Sequence, residues 1–281
     1  MYTKFNYKPQ DIFFEQEIMP CLRCGQSLYE NDKKQVQRRL DQFFSEDGIM
    51  DESKLKEHWF SIFPKDIFIS HSHDDIDAAT AFAGWLYKNF GLQAFIDSYA
   101  WGYCDELLRK LDDEFCYKPK THTYDYNLRN YTTSHVHMML STALTEMIYN
   151  TECIIFFNTP QSINIAEEVG KAHEDDTTQK TISPWIYHEL SMTTMLKVME
   201  PVRSHAVLEH VDFAEGITRK PKLSYDVDKA VKEMTLLTDA HLEAWQNQHC
   251  HSSKSNLPGT EKRVTRHSLD TLYEIVFPKN I

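Results

Sequence analysis

No stretch of this 281-residue chain approaches the twenty or so consecutive apolar residues that cross a bilayer, and runs such as Cys153-Ile-Ile-Phe-Phe157 stop at strand length. The opening residues, Met1-Tyr-Thr-Lys-Phe-Asn-Tyr-Lys-Pro9, lack the apolar centre and small-residue cleavage site of a secretory signal. Positive charge is also scarce: 30 Lys+Arg against 42 Asp+Glu leave a formal charge of -12, which repels nucleic acid and anionic membranes at long range. Six scattered cysteines are too few for a disulfide framework, in keeping with a reducing compartment. These shortages lead us to expect a cytoplasmic protein with neither nucleic acid nor membrane as partner. With only 8 Gly and 10 Pro and no internal repeat, fibrous and solenoid classes drop out too. What remains, 41% hydrophobic and 26% charged, is the composition of a globular chain that forms one or two domains and buries a sizeable core.

The chain divides by pattern. Residues 1–63 show two amphipathic stretches, Val36, Leu40, Phe43, Phe44 and then Leu55, Trp59, Phe60, separated by Gly48 and closed by Pro64; they predict a small N-terminal helical lobe resting on a main domain. At Asp66 the character changes. Asp66-Ile-Phe-Ile-Ser70 reads as a buried strand that ends in the polar loop His71-Ser-His-Asp-Asp75. Ile76, Ala79, Ala83, Leu86, Tyr87 and Phe90 then recur at helical spacing, with Asp74 or Asp75 placed to cap the start and Gly91 the end. A second strand, Leu92 to Asp97, follows. Strand, helix and strand with such short joints form a βαβ unit and so a parallel pair, which makes the class α/β.

Further along we expect a helix over 105–115, a polar Tyr-rich insertion from Cys116 to Thr133, a helix carrying Val136 to Ile148, the strand Cys153–Phe157 and a loop through the acidic Glu174-Asp-Asp176. A helix over 185–199 comes next, with weaker strand candidates at Val207 or Leu208 and at 222–227. Helices around 231–245 and 269–277 make a C-terminal helical extension over 231–281.

In an open parallel sheet, ligands bind outside the carboxyl ends of the strands. Three segments reach that edge: Ser70-His-Ser-His73, Asp97-Ser-Tyr-Ala-Trp-Gly102, and the loop leading into Ser183-Pro-Trp-Ile-Tyr-His-Glu189. Trp185 and Glu189 stand four residues apart on one helical face, so an aromatic plate and a carboxylate project together at the rim of a hollow. That pairing suits a flat ligand that develops positive charge, as at a ribosyl C1′ when a base departs. Tyr124, Tyr126 and Tyr131 suit surface packing or an assembly contact. Cys21-Leu-Arg-Cys24-Gly25 has the spacing of half a zinc knuckle, and His249-Cys-His251 could complete it, but there is no second Cys-x-x-Cys; we expect free thiols near a turn and no metal.

The ordered series Asp66-Ile-Phe-Ile-Ser-His-Ser, then Gly91-Leu-Gln-Ala-Phe-Ile-Asp97, then Ser183-x-Trp185-x-x-x-Glu189-Leu190 resembles a Toll/interleukin-1 receptor (TIR) domain over residues 64–230. The resemblance implies a flavodoxin-like parallel five-stranded sheet with helices on both faces. As in many bacterial and plant members, it also implies cleavage of the nicotinamide N-glycosidic bond of NAD+, with NAD+ as substrate and no separate cofactor. Glu189 matches the catalytic position. Trp185 borders the nicotinamide ribose, Ser70, His71 and Ser72 line the first-strand loop, and Asp97, Trp101 and Gly102 belong to a flexible loop over the nucleotide. Products expected from the resemblance are ADP-ribose or a cyclic or modified form that signals to an effector in antiviral defence, with self-association through TIR surfaces. Two other functions fit parts of the chain: a non-catalytic TIR interaction scaffold, and a nucleoside deoxyribosyltransferase-like enzyme.

Overall fold

The computed structural model describes residues 1–9, 18–43, 65–163, 178–201, 225–254 and 267–278; for 31–43, 100–104, 106 and 250–254 only the backbone is described. Strands β1 (Thr3–Tyr7), β2 (Ile67–Ser70), β3 (Ala94–Ile96), β6 (Cys153–Phe157) and β9 (Thr235–Leu237) form one all-parallel sheet in the order β3-β2-β6-β1-β9. Its central strands are short apolar runs buried on both faces, as a parallel sheet covered by helices requires. In register, Ile69 stands opposite Ile96 on one side and Ile155 on the other, and Phe5 stands opposite Ile155.

Helices cover both faces. One face holds α1 (Ile18–Phe43), α2 (Ile76–Phe90), α7 (Asp239–Lys254) and α8 (Ser268–Val276), over a core containing Phe5, Tyr7, Ile69, Phe82, Trp85, Phe157, Trp245 and Leu272. The other holds α3 (Asp97–Leu111), α4 (Tyr126–Asn150), α5 (Pro184–Met195) and α6 (Asp228–Lys232), over Phe68 and Ile154 in one cluster and Phe156, Ile186 and Leu190 in the next. Helix α2 ends at Gly91, whose φ of 69° lets its N–H bond back to the Tyr87 carbonyl. Asp125 caps α4 by accepting from the amides of Asn127 and Leu128.

Helices α1 and α2 meet backbone to backbone. A Cβ built on Gly84 would stand 1.9 Å from the Cys21 carbonyl oxygen, and one on Gly25 would stand 2.1 Å from that of Thr80. Cys21 and Cys24 therefore lie inside a helix rather than near a turn, and Cys21 is buried against α2.

Several expectations change. The residues foreseen as a helical lobe over 1–63 supply a central strand, β1, flanked by β6 and β9, and the expected second helix at 55–60 lies outside the described residues. The stretch 231–245 is not one helix: α6, the edge strand β9 and the start of α7 share it. Boundaries at 63/64 and 230/231 thus cut across a single sheet, of which β2, β3 and β6 alone fall within 64–230. Helix α3 starts at Asp97, directly after β3, so the segment expected as a loop over Asp97–Gly102 is helical. The insertion at 116–133 is a small antiparallel hairpin, β4 (Tyr117–Lys118) with β5 (Thr123–Tyr124), followed by the first turns of α4. The candidate strand at 222–227 is the two-residue β8 (Tyr225–Asp226), antiparallel to β7 (Lys180–Thr181), while Val207, Leu208 and the acidic 174–176 lie outside the described residues. Among the described residues no helix is long and apolar enough to cross a membrane.

Candidate active site

Because the five strands are parallel, their carboxyl ends share one edge. The chain leaves β2 toward β3 through α2 on one face, then returns past β2 to β6 through α3 and α4 on the other. The strand order reverses between β2 and β6, the position at which doubly wound sheets hold their ligands.

Three elements deliver ionisable side chains there. Strand β2 ends in Ser70 and passes to His71; β3 passes directly to Asp97 and Ser98 at the start of α3; and α5 lays Glu189 against the sheet. Helix α5 is fixed at its start by Ser183, whose hydroxyl accepts from the Ile186 amide, and by Pro184 in the first turn, where a missing N–H costs nothing. Its apolar residues Ile186 and Leu190 seat it on Phe156, which turns Glu189 inward.

Glu189 is 1% exposed, so the carboxyl expected at the rim of an open hollow is instead enclosed. The Ser70 hydroxyl donates to Glu189 Oε2 at 2.6 Å, while Oε1 has no well-aligned partner among the described residues. Burial, and then the neighbouring Asp97 through its charge and a hydrogen bond, push the Glu189 carboxyl well above the ordinary carboxylate range; the Ser70 hydrogen bond pulls the other way but is outweighed.

A second group adjoins it. His71 Nε2 and Ser98 Oγ are 2.9 Å apart, and His71 Nδ1 lies 2.6 Å from Asp97 Oδ1, an ion-pair contact rather than a well-aligned hydrogen bond. Asp97 Oδ1 also accepts from the Ser98 amide at 2.8 Å. Burial alone would lower the His71 pKa, but the Asp97 carboxylate, the Ile69 carbonyl and Asp75 outweigh it, and the imidazole sits above its ordinary value. Ser70, His71, Asp97, Ser98 and Glu189 thus form one buried polar cluster, with Asp97 between the imidazole of His71 and the carboxyl of Glu189.

Of the residues singled out in the sequence, Ser70, His71, Asp97 and Glu189 come together. Ser72 is half-buried and its carbonyl accepts from the Asp75 amide at 2.9 Å. Trp185 is half-buried and packs on the α3/α4 cluster, its ring edge-on to His137 at 5.7 Å between centroids. Trp101 and Gly102 sit on helix α3, where only backbone is described. Among the described residues no three His, Cys, Asp or Glu side chains gather as a metal site.

The sequence reading missed Asn158 and Thr159, directly after β6, and Asn6 on β1. Thr159 Oγ1 donates to Asp75 Oδ2 at 2.5 Å, tying together the loops that follow β6 and β2. A polar pair following a strand that ends at this same edge was a signal equal to that of Ser70-His71. No family model, curated protein or solved structure matches this chain.

Proposed function

We propose that this protein is a TIR-type NAD+ glycohydrolase or ADP-ribosyl cyclase in which Glu189 serves the breaking of the nicotinamide N-glycosidic bond. One observation carries this reading: an enclosed carboxyl, held through one oxygen by Ser70, stands where the strand order of a parallel sheet reverses. The resemblance of Ser183-x-Trp185-x-x-x-Glu189 and its companion motifs supports the substrate assignment.

The chemistry follows from charge. A buried carboxylate without a counter-cation is costly, which is why burial pushes the Glu189 carboxyl up toward its protonated form. The pyridinium ring of NAD+ brings a positive charge, so substrate binding favours ionisation of Glu189 with release of a proton. As the C1′–N bond breaks, its electron pair leaves with neutral nicotinamide and no general acid is needed. Positive charge moves to the ribosyl C1′ and ring oxygen, where the Glu189 carboxylate opposes it. Attack by water yields ADP-ribose and a proton; attack by a hydroxyl or ring nitrogen of the same ADP-ribosyl group yields a cyclic product. Released as a signal during viral attack, that product would act on an effector, with self-association of the chain controlling turnover.

The raised Glu189 pKa beside Asp97 favours one second reading. A protonated carboxyl can serve as general acid toward the base of an ordinary nucleoside, as in a deoxyribosyltransferase-like enzyme. Chromatography of nicotinamide released from NAD+, and of free base released from deoxynucleosides, separates the two. Nicotinamide release that falls about 10²–10³-fold in Glu189→Gln supports the first; base release from nucleosides with NAD+ left intact supports the second.

A further inference from the structure

Four of the six buried side-chain atoms that lack a well-aligned hydrogen-bond partner among the described residues sit at the carboxyl edge of this sheet: Asn6 Oδ1, His71 Nδ1, Asn158 Nδ2 and Glu189 Oε1. Asp97 accompanies His71 and is also a hydrogen-bond partner of the Glu189 carboxyl, which leaves the two amides. An orphaned buried polar group costs about 1–3 kcal/mol, so two amides beside Glu189 call for a partner that arrives from outside.

Their placement follows from register. Ser70, Phe156 and Asn6 stand in one row across β2, β6 and β1. Phe5 and Tyr7 enter the core on the opposite face, so Lys4 and Asn6 face α5, and Lys4 Nζ indeed donates to the Thr193 carbonyl. Thr193 lies one turn after Glu189 on α5, and Asn6 lies two residues beyond Lys4 toward the carboxyl edge, level with Glu189. Asn158 continues β6 by donating its amide to the Tyr7 carbonyl at 2.8 Å, and alternation puts its side chain above Phe156 on the same face. With strands about 4.8 Å apart and a rise of about 3.3 Å per residue, Asn158 is roughly 8 Å from both the Ser70 and the Asn6 positions.

We propose that Asn158 and Asn6 are specificity residues that hold the hydroxyls of a ribosyl group whose anomeric carbon faces Glu189. An amide donor on Asn158, an amide acceptor on Asn6 and a carboxyl acceptor on Glu189 match vicinal hydroxyls, each of which donates once and accepts. The atoms are sealed from solvent, so the ligand supplies the missing partners in exchange for the packing it displaces on entry. The inference rests on the reading of this edge as an N-ribosyl site and adds to it a contribution from the N-terminal strand.

The test measures binding of ADP-ribose and of ADP by titration calorimetry to the full chain and to Asn158→Ala and Asn6→Ala, with Asn158→Ser as a smaller change should the alanine variant unfold. Wild type is expected to prefer ADP-ribose over ADP, and each alanine substitution to cut that preference about tenfold, with ADP binding unchanged. A wild type without the preference, or variants that keep it, overturns the proposal. Nicotinamide release from NAD+ is followed in parallel. Asparagine-dependent ADP-ribose binding without nicotinamide release sinks the glycohydrolase reading and leaves this inference standing. Turnover with KM indifferent to both substitutions does the reverse.

Discussion

The hydroxyl of Ser70, the last residue of β2, donates to the carboxyl of Glu189, in the second turn of α5, across 2.6 Å of protein interior. This bond joins the sheet edge to the helix that covers it, and it favours the charged form of a carboxyl whose pKa burial pushes up.

Removing that bond should therefore alter the pH dependence as well as the rate. In Ser70→Ala the Glu189 pKa rises further, and the acid limb of kcat/KM for nicotinamide release moves to higher pH than in wild type. At neutral pH the loss should be about 10–100-fold, the value of a hydrogen bond to a charged group. A limb that stays in place while the rate falls would show that Ser70 positions something other than Glu189.

The same carboxyl makes the fold sensitive to alkali. Its folded-state pKa lies above the unfolded value of 4.5, so its contribution to stability is fully present below 4.5 and is lost as pH rises through the folded pKa. His71, raised above 6.5, adds a loss of the same sign at higher pH. Glu189→Gln removes the first effect: its Tm should exceed that of wild type by a margin that widens from about pH 4.5 upward, at about 2–4 °C per kcal/mol. A variant that melts below wild type at every pH contradicts the assignment of Glu189 as a buried acid with a raised pKa.

Helices α1 and α2 leave no room for a methyl group at their crossing. Gly84→Ala must push the Cys21 carbonyl away, and we expect a loss of about 1–3 kcal/mol, read as a lower Tm in thermal unfolding. An unchanged Tm would mean that α1 does not lie on α2 in solution.

Deleting residues 1–9 should abolish cooperative unfolding, because β1 holds β6 and β9 together through parallel ladders and places Phe5 and Tyr7 in the core. Circular dichroism of the truncated chain checks this. A truncated protein that melts like the full chain would restore the view of the N-terminal segment as a dispensable lobe.

Much of the sheet was readable because β2 and β6 are buried on both faces and so appear as unbroken apolar runs ending in polar loops, and because Gly91 marks the end of α2. Ser70, His71, Asp97 and Glu189 were legible as a group for the same reason: each follows a strand or sits on the helix over the edge. Strand β1 was not. Its Lys4 and Asn6 face α5, which interrupts the apolar pattern, and Lys4 pairs with Glu233 at 3.2 Å from a distant part of the chain. Strand β9 has three residues between two helices whose periodic patterns run together. The loop after β3 was expected from the resemblance, whereas here the Asp97 side chain is committed to His71 and Ser98 and the backbone enters α3 at once. Burial of Glu189 was out of reach, since helical spacing places a side chain on a face and says nothing of what lies across from it.

The most direct measurement is a time course of nicotinamide released from NAD+ by the purified full chain beside Glu189→Gln, both checked for native folding by circular dichroism. Release by wild type, with the variant slower by at least about a hundredfold, is the predicted result; equal rates from the two proteins contradict it.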